Sequence, residues 1–122
     1  MSRPPLQRGD IVSAWFPFAD LTLQKLRPAL VLNENTDQGD VILAFISTHI
    51  PFAPTSSTVI LERSAPNFQQ TGLKTDSVIR LDKVATIERS LLTRRLGKLT
   101  LNNLPLIDQA LISALHISFK YP

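Results

Sequence analysis

The sequence predicts a mainly β domain, a small and strongly curved sheet or partly closed barrel, with one long helix at its C-terminal end. Two patterns carry this expectation. From Gly9 to Leu99 the apolar residues come in short, β-branched runs separated by Pro, Gly, Asn and Asp, as in strands joined by turns. Only after Asn103 do they recur at three- and four-residue spacing, as on one face of a helix. A length of 122 residues with no repeat, linker or low-complexity tract then limits the chain to one domain with a single core. Residues 1–6, with Pro4 and Pro5, are expected to be a flexible tail, and residues 7–122 the folded unit.

Gly9 to Trp15 reads as the first strand, followed by an exposed loop that Pro17, Asp20 and Thr22 carry on to Arg27. Proline crowds the residue before it out of the helical region, so Arg27-Pro28 is extended, and Ala29 to Leu32, apolar throughout, is a buried strand. Asn33 to Gly39 is a turn, and Asp40 to Ser47, the most apolar strand of the chain, belongs at the centre. Pro51 and Pro54 make His49 to Ser57 a loop. Thr58 to Leu61 is a short strand, Glu62 to Thr75 a loop, and Ser77 to Leu81 a strand ending in Asp82 that Val84 to Ile87 either extends or pairs with. A helical turn opened by Ser90 precedes Arg95 to Leu99. The final helix takes Asn103 as N-cap and Pro105 in its first turn, with Asp108 near its positive end. Leu104, Ile107, Leu111, Ile112 and Leu115 form its apolar stripe, over Leu104 to Ser118.

Composition narrows the chemistry. There is no cysteine, which excludes disulfides, thiolate nucleophiles and cysteine-held metals, and with only His49 and His116 a metal site would need carboxylates, so no metal or other cofactor is expected. The longest apolar run, Val41 to Ile46, is far short of the ~20 residues of a membrane span, and Met1 to Pro5 lacks an apolar signal core, so a cytoplasmic protein with no membrane partner is expected. A net charge of +3 is compatible with a nucleic-acid partner. Arg89, Arg94, Arg95 and Lys98 cluster against the single acid Glu88, either as a basic patch or as solvated charges around a turn.

Three segments set polar groups beside apolar strands. Arg27, stiffened by Pro28, is suited to gripping a phosphate through two parallel hydrogen bonds, or is an ordinary surface arginine. Ser47-Thr48-His49 ends the central strand; its hydroxyls could serve a phosphate and His49 an acid–base step, or the hydroxyls simply cap the loop that follows. Strand alternation puts Arg80 and Asp82 on one face, as a proton-transfer pair or an ion pair. His116, between Leu115 and Ile117, reads as structural.

In order along the chain, Arg8-Gly9-Asp10-Ile11-Val12, Arg27-Pro28-Ala29-Leu30-Val31-Leu32, Ile46-Ser47-Thr48, Ser77 to Asp82 with Thr86-Ile87-Glu88, and Arg95-Leu96-Gly97-Lys98-Leu99 resemble the MazF/PemK family of toxin endoribonucleases from type II toxin-antitoxin modules. The resemblance covers roughly residues 7 to 117. It implies an SH3-like, partly closed barrel of about six to seven strands with a long C-terminal helix, a homodimer, a cognate antitoxin, and sequence-specific cleavage of single-stranded RNA. It further implies catalytic roles for Arg27, Ser47, Thr48, Arg80 and Asp82, and RNA contacts are expected from Phe16, Lys25, His49 and Lys83. Two positions depart from the family pattern: Lys83 stands where glutamine is common, and Ala85 where arginine is frequent. The loop from Phe16 to Leu26 matches in length only, so the family does not say which bases are read.

The expected activity is metal-independent endoribonuclease action through the RNA 2′-hydroxyl, leaving a 2′,3′-cyclic phosphate. The same barrel also serves CcdB-like, gyrase-binding toxins that do not cleave RNA, for which Phe119, Tyr121 and Pro122 would supply a C-terminal anchor. A relative that binds RNA but is inactivated is the third reading.

Overall fold

Six antiparallel strands form one sheet in the computed structural model, which describes residues 6–16, 25–34 and 39–120. They are β1 (Asp10–Phe16), β2 (Lys25–Val31), β3 (Val41–Ser47), β4 (Thr58–Leu61), β5 (Ser77–Ile87) and β6 (Leu92–Lys98), in the order β4-β5-β3-β2-β1-β6. A single α-helix, α1 (Leu104–Leu115), follows. The fold is therefore mainly β with a C-terminal helix, as expected, and β3 lies inside the sheet with β2 and β5 as its neighbours. The first five residues of the expected tail, the whole of the loop between β1 and β2 (17–24), the middle of the turn after β2 (35–38), and Tyr121 and Pro122 lie outside the described residues. No helix among the described residues is long and apolar enough to cross a membrane.

The sheet is apolar on both faces, which is why its inner strands read as continuous apolar runs. One face gathers Ile11, Leu30, Ile46, Ile79 and Leu81, and α1 covers it through Ile107 and Ala110. The other gathers Val12, Ala14, Phe16, Val31, Leu43 and Ile87, closed by Leu92 and by Leu6. Leu6 was expected in the tail; burying it places the last tail residue in the core, where a leucine side chain contributes about 1.5–3 kcal/mol.

Several boundaries differ from expectation for identifiable reasons. Strand β2 starts at Lys25, so Leu26 and Arg27 belong to the ladder with β1 and not to a loop. The run from Ser77 to Ile87 is a single strand, Val84 to Ile87 extending it. The loop between β4 and β5 contains a 3₁₀ turn, Phe68–Thr71, held by the buried Phe68. The turn at Ser90 is the 3₁₀ turn Arg89–Leu91, and β6 starts directly after it, before Arg95. Asn103 occupies the N-cap position without a side-chain capping bond, because the 3₁₀ turn Leu101–Asn103 runs straight into the helix. Asp108 is past the first turn and pairs with Arg8. The helix stops at Leu115, three residues short of Ser118, with His116 in the left-handed conformation (φ 54°) as its C-cap. His116 is exposed and acts through its backbone N–H, bonded to the carbonyls of Ile112 and Ser113.

The strands at the two ends of the sheet, β4 and β6, do not pair with each other, so the barrel stays partly open. The 3₁₀ turn Phe68–Thr71 bridges the gap by lying against β6. A Cβ on Gly97 would meet the Gln70 carbonyl oxygen at 2.1 Å, and one on Gly72 would meet that of Leu96 at 2.1 Å. Gly72 also has φ +74°. Replacing Gly97 with alanine must push backbone away from backbone, so Gly97→Ala is expected to lower Tm by roughly 5–15 °C. Gly39→Ala, where nothing lies within 4 Å, is the control and should leave thermal melting unchanged.

Candidate active site

Pro28 shapes the site. It pairs with Ser13 of β1, but lacking an N–H it has no partner on β3, where the ladder from β2 stops at Ala29–Phe45. The pairing of β2 with β3 ends there, and the same register carried two residues further sets Arg27 across from Ser47.

Alternation along β2 puts Lys25 and Arg27 on the face of Ala29 and Val31. Along β3 it puts Ser47 on the face of Leu43 and Phe45. Phe45 is opposite both Ala29 on β2 and Arg80 on β5. Arg27, Ser47 and Arg80 thus share one face of three adjacent strands. Asp82 joins them through an irregularity. Neighbours Ala44 and Phe45 pair with Val84 and Arg80, so Leu81 to Lys83 leave the ladder. Leu81 turns into the core, and its N–H donates to the Ser57 carbonyl, while Asp82 and Lys83 project outward.

The same-face expectation for Arg80 and Asp82 is met by a two-pronged ion pair, Nε to Oδ1 at 3.2 Å and Nη2 to Oδ2 at 2.8 Å. Hydrogen bonding from Arg80 holds the Asp82 carboxyl below its ordinary value against the opposing effect of desolvation, and the same bond raises Arg80. Both side chains are about 40% exposed, 40% and 39%, so the pair adds little to stability. That small contribution is present above the ordinary carboxylate value, near pH 4, and is lost as pH falls through the lower folded-state value. If Asp82 acts as a base, the kcat/KM profile should stay flat on its acid side until below about pH 4. A carboxylate limb near pH 5–6 that disappears in Asp82→Asn would contradict this.

Arg27 is exposed and, among the described residues, has no ion pair, so its donors are available. Ser47 Oγ accepts the His49 backbone N–H at 3.0 Å, the loop-capping role, and its own proton remains free to donate elsewhere. Thr48 and His49 are exposed beside it. Lys25 is exposed on the Arg27 face.

Phe16 is corrected: it is 4% exposed, its ring tilted against Phe45 with centroids 4.8 Å apart, so it supports the site from below and has no face free for a base. Phe45 carries no functional signal in the sequence, because it sits inside an apolar strand. Its ring carries Lys83 Nζ at 5.2 Å, fixing that ammonium beside Asp82. The cluster of basic residues divides. Arg95 reaches the buried Asp10 at 3.2 Å, whereas Arg94 lines a cleft of about 460 Å³ bordered by Ser47 and Thr48. Among the described residues no three His, Cys, Asp or Glu side chains come together as a metal-holding group.

The chain falls in the class of toxins from type II toxin-antitoxin systems. Residues 7–115 match the family of PemK-like, MazF-like toxins of type II toxin-antitoxin systems. The chain is 34% identical over 115 residues to the probable endoribonuclease MazF of Mycolicibacterium smegmatis (strain ATCC 700084 / mc(2)155), covering 93% of this chain and 99% of that protein. Its structure aligns with the Mycobacterium tuberculosis toxin MazF-mt6 at a TM-score of 0.72 and 23% identity, over 90% of this chain and 99% of that one. An endoribonuclease in complex with its cognate antitoxin, from Mycobacterial species, aligns at a TM-score of 0.68 and 19% identity, over 94% and 97% of the two chains. The protein belongs to the PemK/MazF toxin family.

Proposed function

We propose that this toxin is a sequence-specific, metal-independent endoribonuclease of single-stranded RNA. The observation that carries the reading is the convergence of Arg27, Ser47 and the Arg80–Asp82 pair on one face of β2, β3 and β5. In the proposed step the RNA 2′-hydroxyl attacks the adjacent phosphorus in line. The O2′–P bond forms as the P–O5′ bond breaks, giving a 2′,3′-cyclic phosphate and a 5′-hydroxyl. Asp82, kept ionised by Arg80, accepts the 2′-proton. Arg27 with the hydroxyls of Ser47 and Thr48 stabilises the charge that builds on the phosphoryl oxygens. Arg80 gives a proton to the departing O5′, which as an alkoxide is more basic than a guanidine. Its hydrogen bonds to Asp82 provide the return path, so acid and base are both regenerated. Lys25, His49 and Lys83 contact the RNA to either side, with Phe16 holding Phe45 beneath Lys83.

Incubating the purified protein with a mixed RNA and mapping the new ends tests this directly. Cleavage at a short recurring sequence is expected. Intact RNA would favour a gyrase-binding toxin or an RNA-binding relative without catalysis.

The working unit is a homodimer, since a barrel of this size offers little concave surface alone. Light scattering should report twice the 13.6 kDa chain mass, and full activity from a strict monomer would contradict it. The protein partner is a cognate antitoxin, a reading supported by the antitoxin complex of the Mycobacterial endoribonuclease that shares this fold.

A further inference from the structure

The cleft bordered by Ser47 and Thr48 opens on the opposite side of the sheet from Arg27 and Arg80, and two local irregularities build it. The first is on β6. Ser13 and Ala14 are neighbours on β1 but pair with Arg94 and Leu92, which leaves Thr93 as the extra residue of a bulge. Bulges re-aim side chains next to functional sites. Here the consecutive residues Thr93 and Arg94 both line the cleft, and Thr93 Oγ1 is held by the Ser13 carbonyl at 3.2 Å. The second is Gly72, whose left-handed backbone precedes Leu73 and Lys74, and all three line the cleft together with Pro28.

The result has an apolar floor of Pro28, Ile46, Leu73 and Leu96, and a rim of hydroxyls with two cations, Lys74 and Arg94. Among the described residues no carboxylate lines it, and neither cation has an ion pair. Its volume of about 460 Å³ lies within the ~300–1,000 Å³ of small-molecule sites.

We propose that this cleft is the specificity subsite of the toxin, taking a guanine of the RNA strand beside the scissile phosphate. The proposal rests on the endoribonuclease reading. Adjacency follows because Ser47 and Thr48 belong to both the cleft and the candidate active site. A flat base suits the apolar floor. Guanine follows from the rim: charged donors without a carboxylate favour the paired acceptors O6 and N7, which arginine reads through two parallel hydrogen bonds, whereas adenine and cytosine bring an amino donor toward those cations.

Two measurements test it. In end mapping on a mixed RNA, the wild type should require guanine at one position flanking the cut. Arg94→Met, which keeps the aliphatic stem, should reduce the preference for guanine there by about 5- to 100-fold and leave the other positions as they were. Unchanged guanine preference in Arg94→Met, or a cleavage sequence without guanine, overturns the assignment. The second measurement needs no cleavage. Titrating guanosine 5′-monophosphate into the wild type should shift the backbone amide signals of Leu73, Lys74, Thr93 and Arg94, more than the adenosine, cytidine or uridine monophosphate does. Shifts confined to Arg27 and Arg80, or equal for all four nucleotides, overturn the cleft as a guanine site. A protein that binds the guanine nucleotide in the cleft yet leaves all RNA intact keeps the subsite and refutes the nuclease reading.

Discussion

Arg27→Ala is expected to cut RNA cleavage by about 100- to 1,000-fold while the fold stays intact, the loss of about 2.7–4 kcal/mol typical of one electrostatic donor to a transition state. The side chain is exposed, so its removal opens no cavity in the core. Its backbone stays paired with Ala14 of β1. What disappears is a guanidinium without an ion pair among the described residues, which in the proposed step meets a phosphoryl oxygen as its charge grows. Arg27→Lys should recover only part of the rate, because an ammonium keeps the charge but not the planar pair of donors. Circular dichroism with a single-turnover cleavage assay separates the effects, and wild-type cleavage by Arg27→Ala would refute its role.

Complete loss of cleavage is expected when the nucleotide on the 5′ side of the cut carries 2′-deoxyribose, together with full activity in excess EDTA. In the proposed step charge at phosphorus falls to arginine and the nucleophile comes from the substrate; the chain has no cysteine, and its described residues assemble no group of three His, Asp or Glu. A 2′-hydroxyl tethered beside the phosphorus has an effective molarity that can reach about 10⁵ M or more, far beyond any free water. End-group analysis should find a 2′,3′-cyclic phosphate and a free 5′-hydroxyl. Cleavage of the deoxy substrate, or loss of activity in EDTA, would overturn the step.

The strands were legible in the sequence wherever local chemistry decides them. Val41 to Ser47 is apolar and β-branched enough to be central in almost any register, and the strand beginning at Ser77 puts Arg80 and Asp82 two residues apart, so their pairing follows from alternation alone. Asn103 looked like a helix cap because its residue type favours one, but the preceding 3₁₀ turn had already set the backbone. Non-local features stayed hidden. Nothing near Phe45 in sequence indicates that Lys83 will sit on its ring, and nothing near Arg94 and Arg95 says that one will pair with Asp10 while the other faces a cleft. The resemblance placed Gly97 in a recurring motif, and the close approach of Gln70 supplies the physical reason for glycine there.

The position of β1 between β2 and β6 bears on how the chain is made. A ribosome delivers β1 early and its second neighbour late: Asp10 pairs with Lys98, the Gly9 carbonyl accepts the Leu99 N–H, and Arg8 is tied to Asp108 on the helix. Such pairings between distant parts of a chain are slow to form, because loop closure must be overcome before they add stability. Until β6 emerges, β1 has an unprotected edge open to other chains. A nascent chain stopped before residue 92 also lacks the Thr93–Arg94 wall of the cleft. An interrupted translation product thus carries an open strand edge and an incomplete cleft, and both are made good only when β6 is synthesised.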